Sequence, residues 1–218
     1  MNKQQKQKFY LAAGFLAAFV LWTAAVCLID VQAIGPQGSS VGLAAVNRWF
    51  HERTGVHMSL YTITDRLGLV PLGFVAGFAL LGLIRWIGCK ALRKVDFSLL
   101  VLGGFYLAVL AGFVLFELFP VNYRPVLIDG VLEESYPSST TMLVMCVIPT
   151  AVLQLQGRIK NRTLRRGVIL LSAAFLVFMV LGRLLSGVHW LSDIIGGGLL
   201  SAGLVMLYVS ICALEKTA

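Results

Sequence analysis

The chain has 218 residues, 58% of them hydrophobic and only 13% charged, with a mean hydropathy of +0.86. A soluble domain carries about 25% charged residues, so this composition excludes one and predicts an all-α polytopic membrane protein. The formal net charge of +8 lies mostly on one predicted membrane side, where it suits anionic headgroups, and no nucleic-acid binding is read from it.

Lys3, Lys6 and Lys8 precede the first apolar run, at about 9–29. Its length exceeds a typical signal core and no small-x-small cleavage site follows it, which predicts an uncleaved first helix. A long outer segment follows, at about 30–66. Asp30 to Ser40 is turn-rich, whereas Leu43, Val46, Trp49 and Phe50 fall at helical spacing and predict an interfacial amphipathic helix. His51 and His57 lie six apart without a zinc-site pattern and are expected to face solvent or headgroups.

Further apolar runs recur at about 67–89, 98–119, 141–156, 167–184 and 191–213, giving six membrane helices in one bundle over 1–218. Pro71 predicts a kink in the second; Pro149 interrupts the short fourth. Gly73 with Gly77, Gly104 with Ala108 and Gly112, and Gly198 with Ala202 form small-residue stripes suited to close helix packing, to which Gly196 and Gly197 are also assigned. Cys27, Cys89, Cys146 and Cys212 are dispersed through apolar segments, without metal-ligand spacing, and read as ordinary buried thiols.

Charge orients the bundle. With both termini cytoplasmic, the inner segments hold Lys3, Lys6, Lys8, Arg85, Lys90, Arg93, Lys94, Arg158, Lys160, Arg162, Arg165, Arg166 and Lys216, thirteen of the eighteen basic residues. Arg48, Arg53, Arg66, Arg124 and Arg183 fall outside with most of the acids, which is the positive-inside pattern.

Two polar islands then share the outer face. In the first, Glu117 ends the third helix, Arg124-Pro125 follows, and Pro137-Ser138-Ser139-Thr140 opens the fourth. A helix start with free N–H groups is an anion site. The second runs from Gly182 to Asp193. On a helix starting near Ser186, His189 and Asp193 would share a face, so the carboxylate could orient the imidazole, with Arg183 at the end of the preceding helix able to hold a phosphate over it.

Taken together these blocks resemble the type 2 phosphatidic acid phosphatase (PAP2) superfamily of membrane lipid phosphatases and phosphotransferases. That family carries lysine, six residues, Arg-Pro; then Pro-Ser-Gly-His; then Ser-Arg, five residues, His, three residues, Asp. Here the blocks read Glu117, six residues, Arg124-Pro125; Pro137-Ser138-Ser139-Thr140; and Gly182-Arg183, five residues, His189, three residues, Asp193. The resemblance implies that His189 attacks phosphorus and forms a phosphohistidine, that Asp193 positions it, and that Arg124 and Arg183 hold the phosphoryl oxygens. Ser138 and the amides of Ser139 and Thr140 would complete the cradle, and the chemistry would need no metal or cofactor.

The pattern departs from the family at two sites: Glu117 replaces its lysine, and Thr140 its proton-donating histidine. A diphosphate expels a phosphate group that can leave unprotonated, which makes a lipid diphosphate such as a polyprenyl diphosphate the easier substrate. Two readings follow. One is a lipid phosphatase or phosphotransferase at the outer leaflet of a cell membrane, bacterial by analogy with short family members; the other is a non-catalytic relative that binds or moves a phospholipid or polyprenyl phosphate.

Overall fold

Apolar runs too long for strands fold as helices in lipid, because each backbone N–H and C=O must be bonded within its own segment. The computed structural model describes residues 3–91 and 94–215. Arg93 and Lys216, counted above among the inner basic residues, lie outside the described residues. The described α-helices are α1 (Lys3–Leu28), α2 (Ala44–Thr54), α3 (Met58–Leu67), α4 (Val70–Cys89), α5 (Phe97–Leu118), α6 (Ser139–Gln156), α7 (Arg162–Leu185) and α8 (Leu191–Glu215).

Six stretches are long and apolar enough to cross a membrane, and α3 with α4 make one of them, Met58–Cys89. The second span thus begins earlier than the expected position 67, and α3 is part of it rather than of the outer loop. Gly68 and Leu69 join the two helices directly before Pro71, which sits in the first turn of α4. There its ring, having no N–H to give to the Leu67 carbonyl, costs little. Pro149 stays inside α6, where the Thr150 hydroxyl donates to the carbonyls of Cys146 (2.8 Å) and Val147 (3.1 Å).

α6 and α8 have 50% and 44% of their spans buried against 17–22% for the other four, so they form the centre of the bundle. α1 packs along α8, while α4, α5, α7 and α8 surround α6. At one end Gln5 Nε2 donates to the Ala213 carbonyl (2.9 Å), which brings the start of α1 beside the end of α8. Cys146 is buried, but Cys27 is exposed on the outside of the bundle.

Of the glycines expected to pack closely, Gly196 and Gly197 do, and those of the other stripes do not. A Cβ added at Gly73, Gly77, Gly104 or Gly112 would touch nothing, and one at Gly198 only the Met145 sulfur at 3.9 Å. Gly196 rests against the Tyr136 ring and Gly197 against the start of α6, and close approach occurs also at Gly182 against α3 and at Gly203 against Leu16. Spacing marks a small face but not what lies opposite it.

At the other end of the bundle the 119–138 loop doubles back on itself. The Arg124 N–H donates to the Glu133 carbonyl and the Ser135 N–H to the Asn122 carbonyl, both at 2.9 Å. α2 lies beside the start of α8, which gathers α2, this loop and the α7–α8 turn in one place.

Candidate functional site

The turn between α7 and α8 is built by caps. Ser186 ends α7, its N–H donating to the Gly182 carbonyl (2.9 Å) and its hydroxyl to the Arg183 carbonyl (2.8 Å). Gly187 follows at φ 70°, and a Cβ there would lie 2.0 Å from the Gly55 carbonyl oxygen. Only glycine lets this turn rest on the α2–α3 connection, where the His57 N–H donates to the Ser186 carbonyl (2.9 Å).

α8 therefore starts at Leu191, not near Ser186, and His189 precedes it. Asp193, in the first turn, reaches back so that Oδ2 accepts the Trp190 N–H at 2.9 Å, the carboxylate half of a capping box. This fold-back, rather than a shared helical face, brings His189 Nδ1 to 3.8 Å from Asp193 Oδ2. That separation is longer than a hydrogen bond.

Asp193 is fully buried, so its charge needs partners. Its Oδ1 accepts from Asn122 Nδ2 (3.2 Å) and lies 3.4 Å from the Ser192 hydroxyl. Asn122 Oδ1 in turn accepts the Gly42 N–H (3.1 Å). Asn47 donates to Ser192 Oγ (2.9 Å) and to the Gly42 carbonyl (2.8 Å), and accepts the Ser192 N–H (3.1 Å). Trp22 Nε1 closes the set on the Ser192 carbonyl (3.0 Å). Neither Asn47 nor Asn122 was expected here: Asn47 falls within the stretch read as an interfacial helix and Asn122 between Glu117 and Arg124, and neither belongs to a motif.

Arg183 is 1% exposed, and its Nη2 lies 3.4 Å from His189 Nε2. Its Nη1 is 3.6 Å from Asp65 Oδ1 on α3. Arg124, also buried, pairs through Nε with Glu133 Oε2 at 3.0 Å. The Tyr61 ring of α3 touches both guanidiniums, with centroid distances of 5.0 Å to Arg183 and 5.8 Å to Arg124. Nε and Nη1 of both arginines, and His189 Nδ1, have no hydrogen-bond partner among the described residues. Burial first, then Arg183 and Arg124, hold the His189 imidazole well below the usual histidine range, with the Ser135 backbone pulling the other way. His189 is thus a neutral base with a lone pair beside a fixed positive field.

The remaining expected residues divide. Ser138 is buried at the N-cap of α6, its hydroxyl accepting the Thr141 N–H (3.4 Å) and its N–H donating to the Asp193 carbonyl (3.1 Å). Ser139 lines a polar cavity of about 260 Å³ together with Glu117, Arg124, Glu133, Glu134 and Ser135. Thr140 instead lines a larger, apolar cavity of about 840 Å³ between α4, α5 and α6, which Ser139 also borders. Glu117 is exposed and forms no ion pair among the described residues. His51, expected to face solvent or headgroups, instead packs on Trp190 at 5.4 Å, and burial lowers its pKa.

Residues 119–216 match the model of the PAP2 superfamily, a region holding the second and third blocks and Arg124. Among solved structures the chain is similar to a transmembrane PAP2-type phosphatidylglycerolphosphate phosphatase from Bacillus subtilis. The TM-score is 0.59 at 18% identity, over 96% of this chain and 98% of that one. No curated protein matches the chain. The structural likeness extends the shared fold across all six spans.

Proposed function

From the match of residues 119–216 to the PAP2 superfamily model we propose that the chain is a PAP2-type membrane lipid phosphatase or phosphotransferase working through a phosphohistidine on His189. The observation that carries the reading is the buried neutral imidazole, with Nε2 3.4 Å from Arg183 Nη2 and Nδ1 turned to Asp193.

In this reaction Nε2 attacks phosphorus while Arg183 and Arg124 hold the phosphoryl oxygens, the N–H groups that make no hydrogen bond among the described residues supplying donors. Asp193 stabilises the charge that the ring gains. Ser138 fixes the start of α6, where the N–H groups of Ser139 and Thr140 have no intrahelical acceptor. The substrate is a lipid phosphate or diphosphate whose apolar part fits the 840 Å³ cavity ending at Ser139 and Thr140. A diphosphate is the easier of the two, because its leaving phosphate needs no proton. The charge distribution supports a site facing outward and both termini cytoplasmic; a bacterial cell membrane is assigned by analogy with short family members alone.

The test is chemical. Purified protein in detergent, given a lipid substrate labelled in its phosphoryl group, should release phosphate and carry an acid-labile label. His189→Ala should lose both while unfolding at an unchanged temperature. Turnover that survives in His189→Ala removes the assignment, and wild-type protein that binds the lipid without turnover makes it a non-catalytic relative.

A further inference from the structure

Thr140 leaves the reaction without an evident proton donor, since an aliphatic hydroxyl is about as weak an acid as water. The carboxyls at the site are poorly suited to the task. Glu133 is tied to Arg124 Nε and Asp65 faces Arg183 Nη1, so each carboxylate is already engaged with a guanidinium. One protonated group lies against both guanidiniums, the Tyr61 phenol.

Tyr61 reaches the site because of Gly182. A Cβ on Gly182 would come within 2.6 Å of Thr64 Cγ2 and 3.6 Å of Leu60 Cδ1, so the absent side chain lets α3 seat closely on α7. This seating sets Tyr61 and Asp65, one helical turn apart, beside Arg183. The Tyr61 hydroxyl has no hydrogen-bond partner among the described residues, and its charged neighbours are Asp65, Arg124, Arg183 and Glu133. A phosphoryl group held by both arginines would therefore share its neighbours with an uncommitted phenol.

We propose that Tyr61 is the general acid for alkyl phosphate esters at this site, an inference that rests on the His189 reading. As Nε2 forms its bond to phosphorus, the P–O bond breaks with its electron pair passing to the alkoxide oxygen. That oxygen takes the Tyr61 proton and leaves as the alcohol. The resulting phenolate is stabilised by Arg124 and Arg183. Water then attacks phosphorus and breaks the P–N bond; its proton returns to Tyr61, inorganic phosphate departs and the imidazole is again neutral. A phenol has an ordinary pKa of about 10, which makes it a far better donor than threonine.

Tyr61→Phe keeps the ring against the guanidiniums and removes only the proton. For a long-chain alkyl phosphate, kcat/KM should fall by about 10²–10⁴. An aryl ester such as p-nitrophenyl phosphate, whose leaving group departs unprotonated, should change by less than about threefold, as should a lipid diphosphate. An equal fall for all three substrates would make Tyr61 a residue that positions the arginines, and no fall for any would remove it from the reaction; either overturns the proposal. The two ideas fail separately. Loss of the labelled phosphoenzyme in the wild type defeats the His189 reading, whereas a labelled wild type with an indifferent Tyr61→Phe defeats only this inference.

Discussion

The buried polar cluster has two halves that are bonded very differently. Around Asp193 the scaffold groups bond one another: Asn122, Asn47, Ser192 and the N–H groups of Gly42 and Trp190 form a connected set. Around Arg124 and Arg183 the guanidinium Nε and Nη1 atoms are buried without hydrogen bonds, and their carboxylate partners, Glu133 and Asp65, have side chains 38% and 55% exposed. Buried donors are almost always satisfied in folded proteins, and those left over mark a place where something else binds. The first half is scaffold. The second half is an anion site whose present partners lie near the surface and can be displaced.

This contrast is broken most strongly through Asn122. In Asn122→Ala the Gly42 N–H loses its acceptor and Asp193 Oδ1 a donor, and each orphaned buried group costs about 1–3 kcal/mol. Thermal unfolding in detergent should show a loss of about 3 kcal/mol, with anion binding lost only as the fold is lost. Arg124→Ala should do the reverse. It removes a cation facing another cation, so stability should change by less than about 1 kcal/mol, while stabilisation by added vanadate disappears. Equal effects of the two variants on stability would erase the distinction between scaffold and anion site.

How much of this was readable in sequence follows the same division. The six apolar runs, the Ser138 cap and the third block from Arg183 to Asp193 are local patterns, and each has its counterpart in the structure. The scaffold is not local. Asn47 bonds Ser192 across 145 positions and Asn122 bonds Asp193 across 71, with nothing at either end to announce the pairing. α3 was hidden because Thr62, Thr64, Asp65 and Arg66 dilute its apolar character, so Tyr61 and Asp65 were read as part of a loop. The start of α8 was misplaced because four-residue spacing fits both a helical face and a capping fold-back, and Gly187 decides for the second.

A smaller effect sharpens the electrostatic side. His189 is 3% exposed and held well below its ordinary pKa of 6.5, so the folded chain keeps it neutral where the unfolded chain takes up a proton. Its contribution to stability is full above about pH 6.5 and is lost as the pH falls toward the folded value, at up to about 1.4 kcal/mol per pH unit. Wild-type protein should therefore lose stability relative to His189→Ala as the pH is lowered from 7 to 5. Parallel curves would mean that the imidazole titrates in the folded protein as it does in the unfolded chain, and that burial and the two arginines do not hold it neutral.

The smallest effect concerns Glu117, which lines the polar cavity with Arg124 but is exposed and outside every ion pair among the described residues. A carboxylate there repels a bound phosphoryl group, yet water and salt screen it, with a Debye length of about 10 Å at 0.1 M ionic strength. Glu117→Gln should accordingly tighten vanadate binding only about two- to fivefold at low salt. The gain should shrink as ionic strength rises toward about 1 M, where the screening length is about 3 Å. Turnover of alkyl phosphates should persist in this variant, because Glu117 is not the donor. A fall of about 10²–10⁴ in that turnover would transfer the acid role from Tyr61 to Glu117. A salt-independent change in affinity would show instead that Glu117 touches the anion, and that the surface half of the site reaches deeper than its exposure indicates.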